Sequence, residues 1–111
     1  MAIIITNAEP ATLLKKIHNA IDSGNIVTWS YDKDGDFTHK VPQWENRAWF
    51  RPKVYTNELR FGILGPTTIQ LSQEIYAIYH GRFIEMLLAH FSADFGHAIA
   101  TSKKTEPDIF K

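Results

Sequence analysis

Apolar residues recur along this chain with two different periods, and each change of period marks a border between predicted helix and predicted strand. From about residue 9 to 23 the spacing is three and four, which predicts a first helix with one apolar face. Pro10 suits its first turn, Asn7 its N-cap and Gly24 its C-terminal cap. The preceding run Ile3-Ile4-Ile5 predicts either a short strand or an apolar lead-in.

A first hairpin follows, and the matching of its faces selects the register. A three-residue loop, Lys33-Asp34-Gly35, sets Tyr31 opposite Phe37 and Trp29 opposite His39. A two-residue turn would instead set aromatic residues against Thr and Lys. We therefore predict the longer loop, with its glycine in the left-handed conformation and a bulge.

A second hairpin joins residues 47–55 to residues 58–63 through a two-residue loop. Its core face pairs Val54 with Leu59, Pro52 with Phe61 and Phe50 with Ile63. Because proline has no N–H to donate, either this strand is an edge near Pro52 or its pairing with the preceding strand stops short of it.

A long helix is predicted at about residues 73–91, with Ser72 as its N-cap and Glu74 in its first turn. Its apolar stripe includes His90, which indicates a hydrogen-bonded core histidine. Residues 67–71 predict a fifth short strand, and residues 93–102 predict a further short helix.

These elements predict an α+β fold: a two-layer sandwich with an antiparallel meander of four to five strands, packed by an N-terminal helix and a long C-terminal helix. The order along the chain is α-β-β-β-β-α. Residues 1–102 form a single domain, and residues 103–111 form a C-terminal tail.

Composition and charge narrow the function classes. The 12 basic and 12 acidic residues cancel, which makes nucleic acid an unfavourable partner. The lack of cysteine excludes disulfides, thiolate nucleophiles and Cys-based zinc sites. Neither a signal-peptide pattern nor an apolar run of membrane length is present, so we expect a cytoplasmic location without membrane contact.

One face of the strand at 47–55 is both basic and aromatic, and this is the candidate binding face. It consists of Trp49, Arg51, Lys53 and Tyr55, joined by Arg60 of the next strand. Cations beside aromatic rings can bind an acidic protein surface or stacked nucleic-acid bases. Because the chain has no net positive charge, an acidic protein surface is the favoured partner. The alternative is an ordinary solvent-exposed sheet face, where the aliphatic parts of the Arg and Lys side chains cover the aromatic rings.

The long helix carries apolar residues on its far side as well, which a surface helix does not need. The residues concerned are Ala77, Ile78, Gly81, Ile84 and Leu88. Small residues four apart let another backbone approach closely, so a homodimer is one interpretation. Contact with the first helix or the tail of the same chain is the other.

Two clusters resemble metal sites only superficially. Asp32-Lys33-Asp34-Gly35-Asp36 lacks the closing Glu of a calcium loop, and a hairpin turn accounts for it. His90, Asp94 and His97 share a face only if the helix continues past Ser92. We therefore predict no metal and no cofactor.

The residues favour a small non-enzymatic interaction domain that self-associates, most simply as a homodimer. Single-stranded nucleic-acid binding by the basic and aromatic face is an alternative. A third is a ligand-binding or enzymatic domain with an aromatic pocket that uses Trp29, Tyr31 and His39. No catalytic residue stands out, but an enzyme stays open because catalytic groups meet in space rather than in sequence.

Overall fold

The computed structural model describes residues 1–67 and 70–110, which contain two helices and six strands. In chain order the elements are β1 (Ile3–Thr6), α1 (Pro10–Asp22), β2 (Trp29–Tyr31), β3 (Phe37–His39), β4 (Trp49–Tyr55), β5 (Glu58–Leu64), α2 (Gln73–Phe91) and β6 (Ala98–Ala100). The predicted α+β class is confirmed. The predicted count of four to five strands is wrong, and so is the order that starts and ends with a helix.

The strands form one antiparallel sheet in the order β2-β3-β4-β5-β1-β6. The isoleucine run at 3–5 is therefore a strand with a neighbour on each side. Ile3 pairs with Phe61 of β5 on one side and with Ala100 of β6 on the other. Ile3 and Ile5 are buried and Ile4 is half-buried, so the sequence lacks the apolar and polar alternation that identifies a half-exposed strand.

The helix predicted for residues 93–102 is wrong. Ser92–Asp94 form a single 3₁₀ turn, and β6 then pairs with β1. The N–H of Thr6 donates to the carbonyl of His97 at 3.0 Å, and the N–H of Gly96 donates to the carbonyl of Thr6 at 3.1 Å. Without β6, the backbone groups of β1 on this side would have no strand partner, so pairing overrides the helical preference of the alanines.

Both hairpin registers are confirmed. Tyr31 pairs with Phe37 and Trp29 with His39, and Gly35 has a φ of 83°. Val54 pairs with Leu59, Pro52 with Phe61 and Phe50 with Ile63. The core position predicted for Val54 is wrong, since 46% of its surface is exposed near the end of the strand. The pairing between β3 and β4 consists of Phe37 with Phe50, so that ladder stops before Pro52.

Helix α2 begins and ends where it was predicted, and the Ser72 hydroxyl accepts a hydrogen bond from the N–H of Ile75 at 3.1 Å. Helix α1 begins at Pro10, and Glu9 occupies its N-cap position. Asn7 does not cap it: its side-chain oxygen accepts instead from the N–H of Glu9, outside the helix. The N-cap predicted for Asn7 is therefore wrong.

Both helices pack on the sheet face to which Phe37 points. The His18 ring of α1 stacks on Phe37 at 5.3 Å, and Phe83 of α2 meets it edge-on at 5.9 Å. The largest fully buried side chains in the core are aromatic: Trp29, Tyr79, Phe37, Phe50, Phe61 and Phe83. The core therefore lies between the helices and one face of the sheet.

The core histidine predicted at position 90 is wrong, since His90 is exposed and borders an open cavity. His80 is buried instead, with Nδ1 facing the carbonyl of Tyr76 at 2.6 Å and Nε2 facing the carbonyl of Met1. The strand predicted for residues 67–71 lies partly outside the described residues. Within the described part of the chain, no helix is long and apolar enough to cross a membrane.

Candidate functional site

The predicted binding face lies on the side of β4 and β5 away from the helices. The Arg51 guanidinium donates two hydrogen bonds to the carboxylate of Asp36, from Nε to Oδ1 at 2.9 Å and from Nη2 to Oδ2 at 2.8 Å. Asp36 is buried, and its hydrogen bond is the largest cause of a raised pKa of Arg51. This two-point geometry fixes the guanidinium against the first hairpin.

The other two cations of this face surround the ring of Tyr55. The Lys53 ammonium lies 5.3 Å from the ring centroid, and the Arg60 guanidinium carbon lies 4.7 Å from it. Lys53 also pairs with Glu106 at 3.6 Å, and Arg60 pairs with Glu58 at 2.7 Å. All three cations of the face are thus paired within the chain, so an acidic partner would have to displace Glu58, Glu106 or Asp36. The binding role itself stays a prediction.

The C-terminal tail crosses this same face. A Cβ placed on Gly62 would lie 2.5 Å from the carbonyl carbon of Pro107, so the two backbones are in direct contact. The fully buried carboxylate of Asp108 accepts from the N–H of Ile63 at 2.7 Å and from the N–H of Thr105 at 2.8 Å. The tail is therefore an ordered cover over β5.

Three carboxylates of the first hairpin loop, those of Asp32, Asp34 and Asp36, come within 4.8 Å of one another. Asp36 is already held by Arg51, and Oδ1 of Asp32 accepts the N–H groups of Asp34 and Asp36 at 2.9 and 3.0 Å. These bonds close the hairpin loop. The structure thus assigns the loop aspartates a structural role in the turn.

The predicted self-association residues lie together on the outward side of α2. Ala77, Gly81 and Leu88 are exposed, Leu88 with 54% of its surface, while Ile78 and Ile84 are half-buried. A Cβ built on Gly81 meets no atom within 4 Å. Neither α1 nor the described part of the tail covers Gly81, so the intramolecular alternative fails there.

A cavity of about 540 Å³ opens between the β2–β3 hairpin, the loop after β3 and the second half of α2. Trp29 and His39, two of the three residues named for an aromatic pocket, line it. Tyr31 does not; its hydroxyl donates to Asp22 of α1 at 2.6 Å.

The cavity is also lined by Trp44, Arg82 and Glu85, which the sequence pattern did not identify as site residues. Arg82 and Glu85 form a surface ion pair with each other at 3.6 Å. Their distance in sequence from the hairpin gave no sign that they would meet it.

Comparison with known proteins gives no functional information: no family model, no curated protein and no solved structure matches the chain.

Proposed function

We propose that this chain is a self-associating interaction domain, and that two copies pack through the outward side of α2. The proposal rests on the open helix face around Gly81, where a side chain would meet no atom within 4 Å and where Leu88 has 54% of its surface exposed. A glycine in the middle of a helix lowers helix stability by about 1 kcal/mol relative to alanine. The close approach of a second backbone would explain why glycine stands at position 81.

A two-fold arrangement of this face favours a second copy as the occupant. In an antiparallel pair that crosses at Gly81, Ile78 of one chain lies level with Ile84 of the other, so this apolar pair occurs twice. In the same register Leu88 lies level with Glu74, which makes position 88 sensitive to the sign of an introduced charge. A two-fold axis places the same patch on both subunits, as this pattern requires. Antiparallel helices also oppose their dipoles, and the chain has no net charge to repel its copy.

The expected dimer is weak. Helix α2 has 19 residues. At 1.5 Å per residue its length is about 28 Å, so contact along one helix face buries less than about 1,200 Å² in total. Interfaces of that size belong to transient complexes, and we expect a dissociation constant on the order of 10 µM.

A pair of substitutions at Leu88 tests both the face and the register. Leu88→Glu and Leu88→Lys remove the same exposed side chain, but the first sets a glutamate beside Glu74 of the second copy and the second sets a lysine there. Sedimentation velocity from about 1 to 500 µM should show a clear loss of dimer for Leu88→Glu and a smaller loss for Leu88→Lys.

Ile99→Glu is the matched control, because Ile99 is 49% exposed but lies on β6 rather than on α2. It should leave the association unchanged. A wild-type chain that stays monomeric at 500 µM would overturn the proposed function. Equal weakening by all three variants would place the contact elsewhere.

A further inference from the structure

The cavity beside the first hairpin has the size and the lining of a small-molecule site. Its volume of about 540 Å³ lies within the usual range for such sites, roughly 300–1,000 Å³. The lining side chains that matter for recognition are Trp29, His39, Trp44, Arg82, Glu85 and Met86. They combine aromatic walls with a few polar groups.

His39 supplies a hydrogen-bond acceptor that the chain itself does not use. Its Nδ1 lies 2.8 Å from the carbonyl of Thr28, and a carbonyl only accepts, so Nδ1 carries the proton. Burial is the largest cause of a lowered pKa of His39, which keeps the ring neutral near pH 7. Nε2 is then a bare acceptor, and no residue of the described chain hydrogen-bonds to it.

The apolar wall that a ligand can reach beside this acceptor is Trp44, which is half-buried. Trp29 lies behind the imidazole: only 1% of its surface is exposed, and its ring stacks on His39 with centroids 4.7 Å apart and planes at 29°. Trp29 therefore holds the His39 ring in place and leaves Trp44 for contact with a ligand. A planar ring suits an indole surface, because stacking maximises its contact with it.

The charges of the cavity cancel. Arg82 and Glu85 pair with each other at 3.6 Å. An ionic ligand would have to compete with this ion pair, whereas a neutral one leaves it intact.

We propose that this cavity binds a neutral, planar aromatic molecule that donates one hydrogen bond, from a hydroxyl or a ring N–H, to Nε2 of His39. This site lies on the hairpin side of α2 and does not depend on self-association.

The test compares ligands that differ only in the donor: phenol against anisole, and indole against 1-methylindole. Each is titrated to millimolar concentration while the indole N–H signals are followed by ¹H–¹⁵N NMR. Phenol and indole should shift the signals of Trp29 and Trp44, and the methylated analogues should bind about 3- to 10-fold more weakly. Trp49, on the other side of the sheet, is the internal control and should not move.

Two further measurements tie the preference to His39. His39→Phe keeps a stacking ring without the acceptor, so phenol and anisole should then bind alike; His90→Phe, at the same cavity, should keep the preference for phenol. On the unmutated chain the preference should vanish on acidification, when His39 takes up a proton facing Arg82, Glu85 and His90. Equal binding of phenol and anisole by the wild-type chain would overturn the proposal. So would a preference that persists in His39→Phe or at low pH.

Discussion

Gly62→Ala tests whether the C-terminal tail is seated on the outer face of β5. The new Cβ would lie 2.5 Å from the carbonyl carbon of Pro107, 2.6 Å from its oxygen and 2.7 Å from the nitrogen of Asp108. Ordinary contacts begin at 3.4 Å, and all three atoms belong to backbone, which has no rotamer to change. The tail must therefore retreat by about 1 Å.

The cost follows from the hydrogen bonds that the retreat breaks. Asp108 accepts from the N–H of Ile63 at 2.7 Å, and the N–H of Ile109 donates to the carbonyl of Ile63 at 2.9 Å. A charged hydrogen bond contributes about 1.5–3 kcal/mol and a backbone one about 0.5–1.5 kcal/mol. Alanine regains about 0.5–1 kcal/mol over glycine within a strand. The free energy of unfolding should fall by about 1–4 kcal/mol.

Urea unfolding followed by tryptophan fluorescence measures this loss. In the double variant with Asp108→Ala the effect of Gly62→Ala should shrink, because the tail is already loosened and the two changes act on the same contact. A Gly62→Ala chain as stable as the wild type would refute the seating of the tail. Two strictly additive losses would refute the shared cause.

Three further results are expected. Gly81→Ala should raise the free energy of unfolding of the dilute chain by about 0.5–1 kcal/mol in the same urea assay, because its methyl meets no atom within 4 Å; a loss would contradict the open helix face. Burial lowers the pKa of His39 below its usual 6.5, so the unfolded chain binds the proton first and the free energy of unfolding should fall as the pH drops below about 6.5. Urea titrations across pH 5–8 should show a shallower fall for His39→Gln than for the wild-type chain; equal slopes would contradict this cause. Glu106→Gln, at an exposed ion pair, should change the free energy of unfolding by less than about 0.5 kcal/mol. Asp108→Asn, at a fully buried carboxylate, should lower it by about 1–3 kcal/mol. Similar urea midpoints for the two variants would contradict the different burial of the two carboxylates.

The hairpins were predictable because period and loop length together fix a register. A two-residue loop leaves only Leu59 as the partner of Val54, and the remaining pairs follow, Phe50 with Ile63 among them. The strand β1 was harder, since an apolar run of three isoleucines fits a central strand and an apolar lead-in equally well. The strand β6 was missed because Ala98 and Ala100 carry no strand preference of their own.

The outer face and the cavity depended on contacts between residues distant in sequence. Gly62 was the one available signal for the tail, because a glycine inside a strand often marks the close approach of another backbone. The cavity was half predictable: the hairpin register brings Trp29 opposite His39. Arg82 reaches them only through the packing of α2, which no local pattern encodes.

Cysteine cross-linking tests the central claim, association through α2, most directly, because the chain has no cysteine of its own. In the proposed dimer Gly81 faces Gly81, so the Gly81→Cys chain should form a disulfide-linked dimer under mild oxidation.

Glu74→Cys is the matched control. Position 74 lies on the same helix face, but an antiparallel pair separates its two copies by 14 residues, about 21 Å. Glu74→Cys alone should not cross-link, whereas a mixture of Glu74→Cys and Leu88→Cys chains should form the mixed dimer. Equal cross-linking at 74 and 81 would contradict the antiparallel register, and the lack of any cross-link at 81 above the dissociation constant would contradict association through this face.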